Sequence, residues 1–317
     1  MSKLVKWGGR VFAGALLCGS MMFGTVSAEQ APAIDGMEAF REAISAPAQQ
    51  DYRAFRQDLQ FFVPAIRADM GMTGYTKGHN LKLSGNVDLV FIADNGQSTQ
   101  MKIPFFIDQK KKEMTLYFKP DKKWLKFQTP TLAAAAADGI ATPDEKDVDD
   151  IISSVKSVTV LRETDTQRTM LVQLNNEKLA DLIASYGKNN PPDKGTADDA
   201  EMHNTFMACL EQGMRRANVW YTWTVDKSTW QTITMSYNLS SIVQETARVA
   251  LEQPHQWPKE LDDFLERIAY YSDMKTYTIF LNKDAKKLVE LPEEAKSAEN
   301  VEDVFEDSTS NATVPTK

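Results

Sequence analysis

Between Arg53 and Gln128 apolar and polar residues alternate in six short runs, and turn residues separate the runs. In the third run Leu81, Leu83, Val87, Leu89 and Phe91 fall on one side, with Lys82, Ser84, Asn86 and Asp88 on the other. A period of two sets one face of a strand against a core and the other in water. The runs span 53–63, 66–76, 80–93, 98–107, 113–119 and 122–128. Their connections, such as Lys77-Gly78-His79 and Asp94-Asn95-Gly96, are too short for parallel crossovers. An antiparallel meander is therefore expected.

The rest of the chain adds helices and more strands. Met37, Phe40 and Ile44 have helical spacing behind a cap of Asp35 with Glu38. Strands are expected at 155–162 and 168–175. A helix then carries Leu179, Leu182, Ile183 and Tyr186, with Gly187 as its stop. A second helix starts near Asp198. The strands Val219–Val225 and Ile233–Leu239 form a hairpin around Asp226-Lys227-Ser228. Helices follow at about 241–252 and after Pro258. Tyr277, Ile279 and Leu281 mark another strand, and Val289 with Leu291 a last short one. Strands outnumber helices and pair locally, so the class is α+β rather than a βαβ alternation.

The chain has 317 residues, 42% hydrophobic and 25% charged, with a net charge of −8. An acidic chain without a basic stripe argues against nucleic acid as partner. Residues 1–28 read as a secretory signal peptide. Lys3, Lys6 and Arg10 precede an apolar stretch, and Val26-Ser27-Ala28 offers a cleavage site. Losing those three cations takes the charge to −11. Leu17 before Cys18 does not fit a lipobox, and Cys209 is then the remaining thiol, so no internal disulfide is available. The expected location is the periplasm or cell envelope. One domain is expected over 29–297, with helical insertions near 131–150 and 176–215. An acidic disordered tail is expected over 298–317.

The sequence carries no complete catalytic or metal-binding motif, and no cofactor is expected. His79, His203 and His255 lie far apart, and the acidic cluster from Asp144 to Asp150 lacks the glycine and terminal glutamate of a calcium loop. Ser153-Ser154-Val155-Lys156 matches an acylating Ser-x-x-Lys pattern but lacks its partner motifs. Cys209 lies on an apolar helix face, where a buried inert thiol is expected.

What remains is apolar. Met1, Met21 and Met22 leave with the leader, so eleven of fourteen methionines stay, several on strand faces. Several strands carry large residues on both faces, as at Phe61-Phe62 and Phe105-Phe106. A sheet of this many strands tends to curl, and a curled sheet under helices can enclose an apolar space. Phe61, Met70, Met72, Leu89, Phe91, Met101, Phe105 and Trp124 are the candidate ligand-binding residues, either the wall of a cavity or a closed core.

Signal peptide, N-terminal helix, long meander, helices between hairpins, and the ending Lys287-Leu288-Val289-Glu290-Leu291-Pro292-Glu293-Glu294-Ala295 together resemble the lipoprotein-carrier-like superfamily. That group includes LolA-type carriers and LppX/LprG-type lipid-binding lipoproteins, and the resemblance covers about 36–296. It implies a large curved antiparallel sheet, a half-barrel with helices packed across its concave face, holding acyl chains. The implied partner is a lipid or an acylated protein, with room for peripheral membrane contact. The other reading is an envelope protein-interaction or assembly module with a filled core.

Overall fold

The structure, a computed structural model, describes residues 35–46, 52–63, 65–77, 80–93, 96–110, 113–130, 145–189, 197–253, 259–281 and 289–301. The leader, the alanine run at 133–137 and the residues after 301 lie outside the described residues.

The first six strands follow the alternating runs closely: β1 (Tyr52–Val63), β2 (Ile66–Lys77), β3 (Asn80–Ile92), β4 (Ser98–Lys110), β5 (Glu113–Phe118) and β6 (Leu125–Pro130). Each pairs antiparallel with the next. A second meander contains β7 (Val155–Glu163), β8 (Gln167–Leu174), β9 (Trp220–Asp226) and β10 (Thr232–Asn238). The two meanders join through β11 (Asp273–Leu281), which pairs with β10 on one side and β1 on the other. A two-residue strand, β12 (Glu299–Asn300), adds in parallel to β6. The result is one open, curved sheet of twelve strands, with β12 and β7 at its edges.

Register fixes which side chains share the inner, helix-covered face. Thr276 stands opposite Leu59, Leu59 opposite Met70, Met70 opposite Val87, and Val87 opposite Ile103. That row crosses five strands on one face, and its apolar members join the main core. Burying each large apolar side chain contributes about 1.5–3 kcal/mol. Gly74 faces Phe55 across β1 and β2, and the Phe55 ring fills the space a Cβ would need: that atom would lie 2.0 Å from Phe55 Cζ.

Six helices accompany the sheet among the described residues: α1 (Gly36–Ser45), α2 (Glu145–Ser153), α3 (Asn176–Asn189), α4 (Ala197–Arg216), α5 (Ser240–Glu252) and α6 (Lys259–Tyr271). Asp35 caps α1, its side chain accepting from the N–H groups of Met37 and Glu38 at 2.9 and 3.1 Å. Ala39, Phe40 and Ala43 of α1 pack into the core of the inner face. Ala180 of α3 and Met214 of α4 reach the same core, as do Ile242 and Val243 of α5. Successive helices from α3 to α6 pack on one another, and α6 also touches β1. Ser240 locks α5 to β11: its hydroxyl donates to Asp273 Oδ1 at 2.8 Å and accepts from the Met274 N–H at 2.9 Å.

Several expectations change. The helix α3 runs through Gly187 to Asn189. Where a helical insertion is expected, by contrast, the acidic residues from Glu145 do lie on a helix, α2, and Asp149 approaches Arg41 of α1 at 3.4 Å. Tyr277 and Ile279 are on β11 but face outward, each 39% exposed, while Thr276 and Thr278 are buried on the inner face. The strand expected at Val289 and Leu291 is absent. Val289 instead packs on the outer face against Ala54, Tyr75 and Phe106. The chain also stays in the fold past 298, since Ala298 is buried and Glu299–Asn300 pair with β6.

Candidate functional site

The eight candidate residues separate into a floor, a rim and one outlier. Met70, Met72 and Phe105 are 2–5% exposed and form part of the main core. Phe61 and Leu89 are half-buried against that core. Phe91 and Met101 stand at the same end of the sheet, 40% and 38% exposed. All seven occupy the inner face, because the register pairs Phe61 with Ala68, Ala68 with Leu89, and Leu89 with Met101.

Trp124 does not belong to this group. It precedes β6 and packs with Ala295 and Ala298 on the outer face, beside Tyr117. The sequence run 122–128 put Trp124 with Leu125 and Phe127. The strand begins only at Leu125, three residues into that run, and Trp124, directly before it, cannot share a face with Leu125, because neighbouring residues of an extended chain point to opposite sides. Leu125 and Phe127 take the inner positions, opposite Phe118 and Leu116.

Exposure rises along the inner face in one direction. On β3 it passes from Leu83 and Val87, both buried, through half-buried Leu89 to exposed Phe91. On β4 it passes from Ile107 and Phe105 through Ile103 to Met101 in the same direction. The two strands lie side by side, so the gradient is a property of the face. It is an apolar track, closed at one end and open at the other.

Polar groups interrupt the inner face at a few points. Gln109 is fully buried, and neither its Oε1 nor its Nε2 makes a hydrogen bond within the protein. The same holds for the hydroxyls of Thr276 and Thr278, each 1% exposed. Sequence reading missed all three: Gln109 fell in the connection after the run 98–107, and Thr276 and Thr278 are polar residues on a strand read from its apolar members. Buried hydroxyls and amides usually find a partner, so these positions differ from the rest of the floor. Tyr221 and Tyr237 stack at 4.8 Å on this face, and burial pushes both phenols above their ordinary range.

The outer face carries a trough of about 340 Å³ across β7 to β11, lined by Arg162, Thr169, Thr224, Thr234 and Tyr277. The Thr169 and Thr224 hydroxyls share a hydrogen bond of 3.0 Å there. Its lining suits water better than an acyl chain.

The residues considered for chemistry are dispersed. Ser153 ends α2 and Lys156 lies on β7, so the pair does not share a helical turn. Burial raises the Cys209 thiol above its ordinary value, which disfavours the thiolate. Among the described residues no three His, Cys, Asp or Glu side chains come together as a metal site. Within the same set no helix is long and apolar enough to cross a membrane.

No protein-family model matches the chain, and no curated protein matches it. Among solved structures it is similar to a LolA superfamily protein, NE2245 from Nitrosomonas europaea. The two share 10% identity over 82% of this chain and 99% of that one, with a TM-score of 0.24. The architecture described above rests on strand pairing, not on this likeness.

Proposed function

We propose that this is an exported, non-enzymatic protein that holds an apolar ligand, a lipid or the acyl chain of a lipoprotein, against the inner face of its sheet. One observation carries the reading: the apolar track on β3 and β4 passes without a polar break from buried Leu83 and Ile107 to exposed Phe91 and Met101. A chain entering at the open end would meet CH₂-compatible surface all the way, gaining about 0.8 kcal/mol per CH₂ buried. Methionine suits such a wall because its side chain adapts to irregular shapes. Admission deeper than the rim requires α1 or the α3–α6 layer to shift, as lids do in other proteins.

The test is native mass spectrometry of protein purified without detergent, combined with uptake of a fluorescent fatty acid. The expected result is an adduct of lipid mass, released by organic solvent, and saturable uptake. A clean ligand-free mass with no uptake removes the carrier reading.

A second reading has an observation of its own. Met70, Met72 and Phe105 are 2–5% exposed, as residues of a filled core are. An envelope assembly module with a closed interior would show no uptake, and crosslinking would trap a protein partner.

A further inference from the structure

Alternation normally leaves one face of each strand end polar. At one end of this sheet it breaks down, at Phe61-Phe62-Val63 on β1 and Val90-Phe91-Ile92 on β3. Val63 pairs with Ile66, and Ile66 with Phe91, so the two triplets end in one row. The Ile92 N–H also donates to the Ala65 carbonyl at 2.9 Å, tying β3 to the β1–β2 turn.

The end of α6 arrives at the same place. Phe62 stands opposite Asp273, and Tyr271 lies two residues before it. Tyr270 and Tyr271 are 71% and 64% exposed, with rings 6.3 Å apart. Phe62, Phe91, Ile92, Met101, Tyr270 and Tyr271 thus account for six of the ten exposed large apolar side chains of the described residues. From β11 to β4 the rim spans four strand spacings, about 19 Å.

The opposite end of the same strands is different. Its row runs Lys77, Asn80, Lys110 and Glu113 in direct register, and all four are exposed. The apolar rim is therefore not a general property of the strand ends. Contiguous exposed apolar residues rimmed by polar ones mark contact surfaces.

Charge at the rim identifies what it contacts. Asp69 pairs with Arg67 at 2.7 Å, Asp273 with Lys275 at 2.5 Å, and Asp88 with Lys102 at 3.9 Å. Glu245 pairs with Arg248, whose guanidinium also lies 5.9 Å from the Tyr270 ring centre. One turn before the tyrosines, Glu266 and Arg267 are both exposed and opposite in charge. On a chain of net charge −8, Asp69, Asp88, Glu245 and Asp273, among the described residues of this edge, each have a basic partner. A neutral edge with protruding tyrosine and phenylalanine side chains matches the headgroup level of a bilayer, where such amphipathic rings concentrate.

We infer that the rim formed by Phe62, Phe91, Ile92, Tyr270 and Tyr271 docks the protein on the surface of a lipid bilayer, seated by apolar insertion rather than by charge. The rim borders the open end of the track, but its apolarity stands apart from whether that track holds a ligand.

The experiment is flotation of the purified protein with phosphatidylcholine vesicles, with and without phosphatidylglycerol. Wild type should float with both, and still do so at about 0.5 M salt, where the screening length is only ~4 Å. Tyr270→Ser with Tyr271→Ser should lower the partition about tenfold or more, with the melting temperature unchanged because both side chains already stand in water. Phe91→Ser should act in the same direction. Tyr271→Trp supplies a gain of signal, a blue shift of its emission on vesicles. Wild type remaining in the aqueous fraction overturns the inference. So does binding that needs phosphatidylglycerol and disappears in salt, or a double variant that floats like wild type. Loss of a protein complex by the double variant, with vesicles ignored throughout, also overturns it. Fatty-acid uptake without vesicles should be unaffected by the tyrosine pair, so failure here and failure of the carrier reading can be told apart.

Discussion

The Phe40 ring of α1 meets the indole of Trp223 on β9 edge to face, with centroids 5.6 Å apart and planes at 78°. This contact links the first helix of the described residues to the second meander, across the inner face of a sheet whose first meander follows α1 in sequence. Phe40 is 1% exposed. Phe40→Ala should lower stability by about 3–5 kcal/mol, the usual cost of removing a buried phenyl ring, and Phe40→Leu by clearly less. Urea unfolding followed by tryptophan fluorescence measures both. A loss under about 1 kcal/mol for Phe40→Ala would mean that α1 is not anchored there.

The floor and the rim of the track should respond oppositely to a carboxylate. Met70→Asp places an unpaired charge where exposure is 2%, and should unfold the protein or cost more than about 4 kcal/mol. Met101→Asp, at 38% exposure, lets the carboxylate reach water and should cost about 1 kcal/mol or less. If the track admits acyl chains, Met101→Asp should keep the fold and weaken fatty-acid uptake. Circular dichroism melts paired with uptake titrations decide the matter. Equal destabilisation by both would assign Met101 to the core.

Gln109 offers a test with the opposite sign. Both atoms of its amide are buried without a partner in the protein. Replacing such a group by an apolar one of similar size removes a desolvation cost of about 1–3 kcal/mol. Gln109→Leu should therefore raise the melting temperature in calorimetry. A fall would show that the amide contributes hydrogen bonds in solution.

Acid should selectively weaken the β7–β8 hairpin. Glu163 accepts from Arg168 at 3.1 and 3.2 Å, and Lys227 Nζ approaches it at 2.6 Å. Arg168 is 6% exposed and stands 5.1 Å from the Trp230 ring centre. The Arg168 hydrogen bonds, with Lys227 second, hold the Glu163 carboxyl below its ordinary value of 4.5. The folded state thus binds that proton more weakly than the unfolded chain does. The stabilisation is complete above about pH 4.5 and disappears as pH falls through the lower, folded value. Glu163→Gln should cost about 1–3 kcal/mol near neutrality, since Arg168 stays buried with weaker compensation. The gap from wild type should close in strongly acidic buffer. Denaturant midpoints across pH show it, and a gap independent of pH would contradict the assignment.

The sequence by itself determined four strands of the first meander to within one residue, and β4 and β6 to within three, because a buried face in a half-exposed sheet imposes a period of two and the short turns force antiparallel pairing. It also determined that Met70, Met72, Leu89 and Phe105 share a face. It could not determine that β11 would bridge β1 and β10, since its pairing with β1 joins segments more than two hundred residues apart and leaves no local pattern. That long-range choice decided the face of β11: pairing with Leu59 and Gln57 turned Thr276 and Thr278 inward and left Tyr277 and Ile279 outside, against the apolar alternation. Only the tertiary structure separated Trp124 from the other candidates, through a strand that starts at Leu125 rather than 122 and the return of 289–298 over the outer face. Only it brought Tyr270 and Tyr271 to the end of the sheet where Phe62 and Phe91 stand. Alternation assigns a residue to a face, but which strand ends meet, and what covers them, depends on contacts between segments distant in the chain.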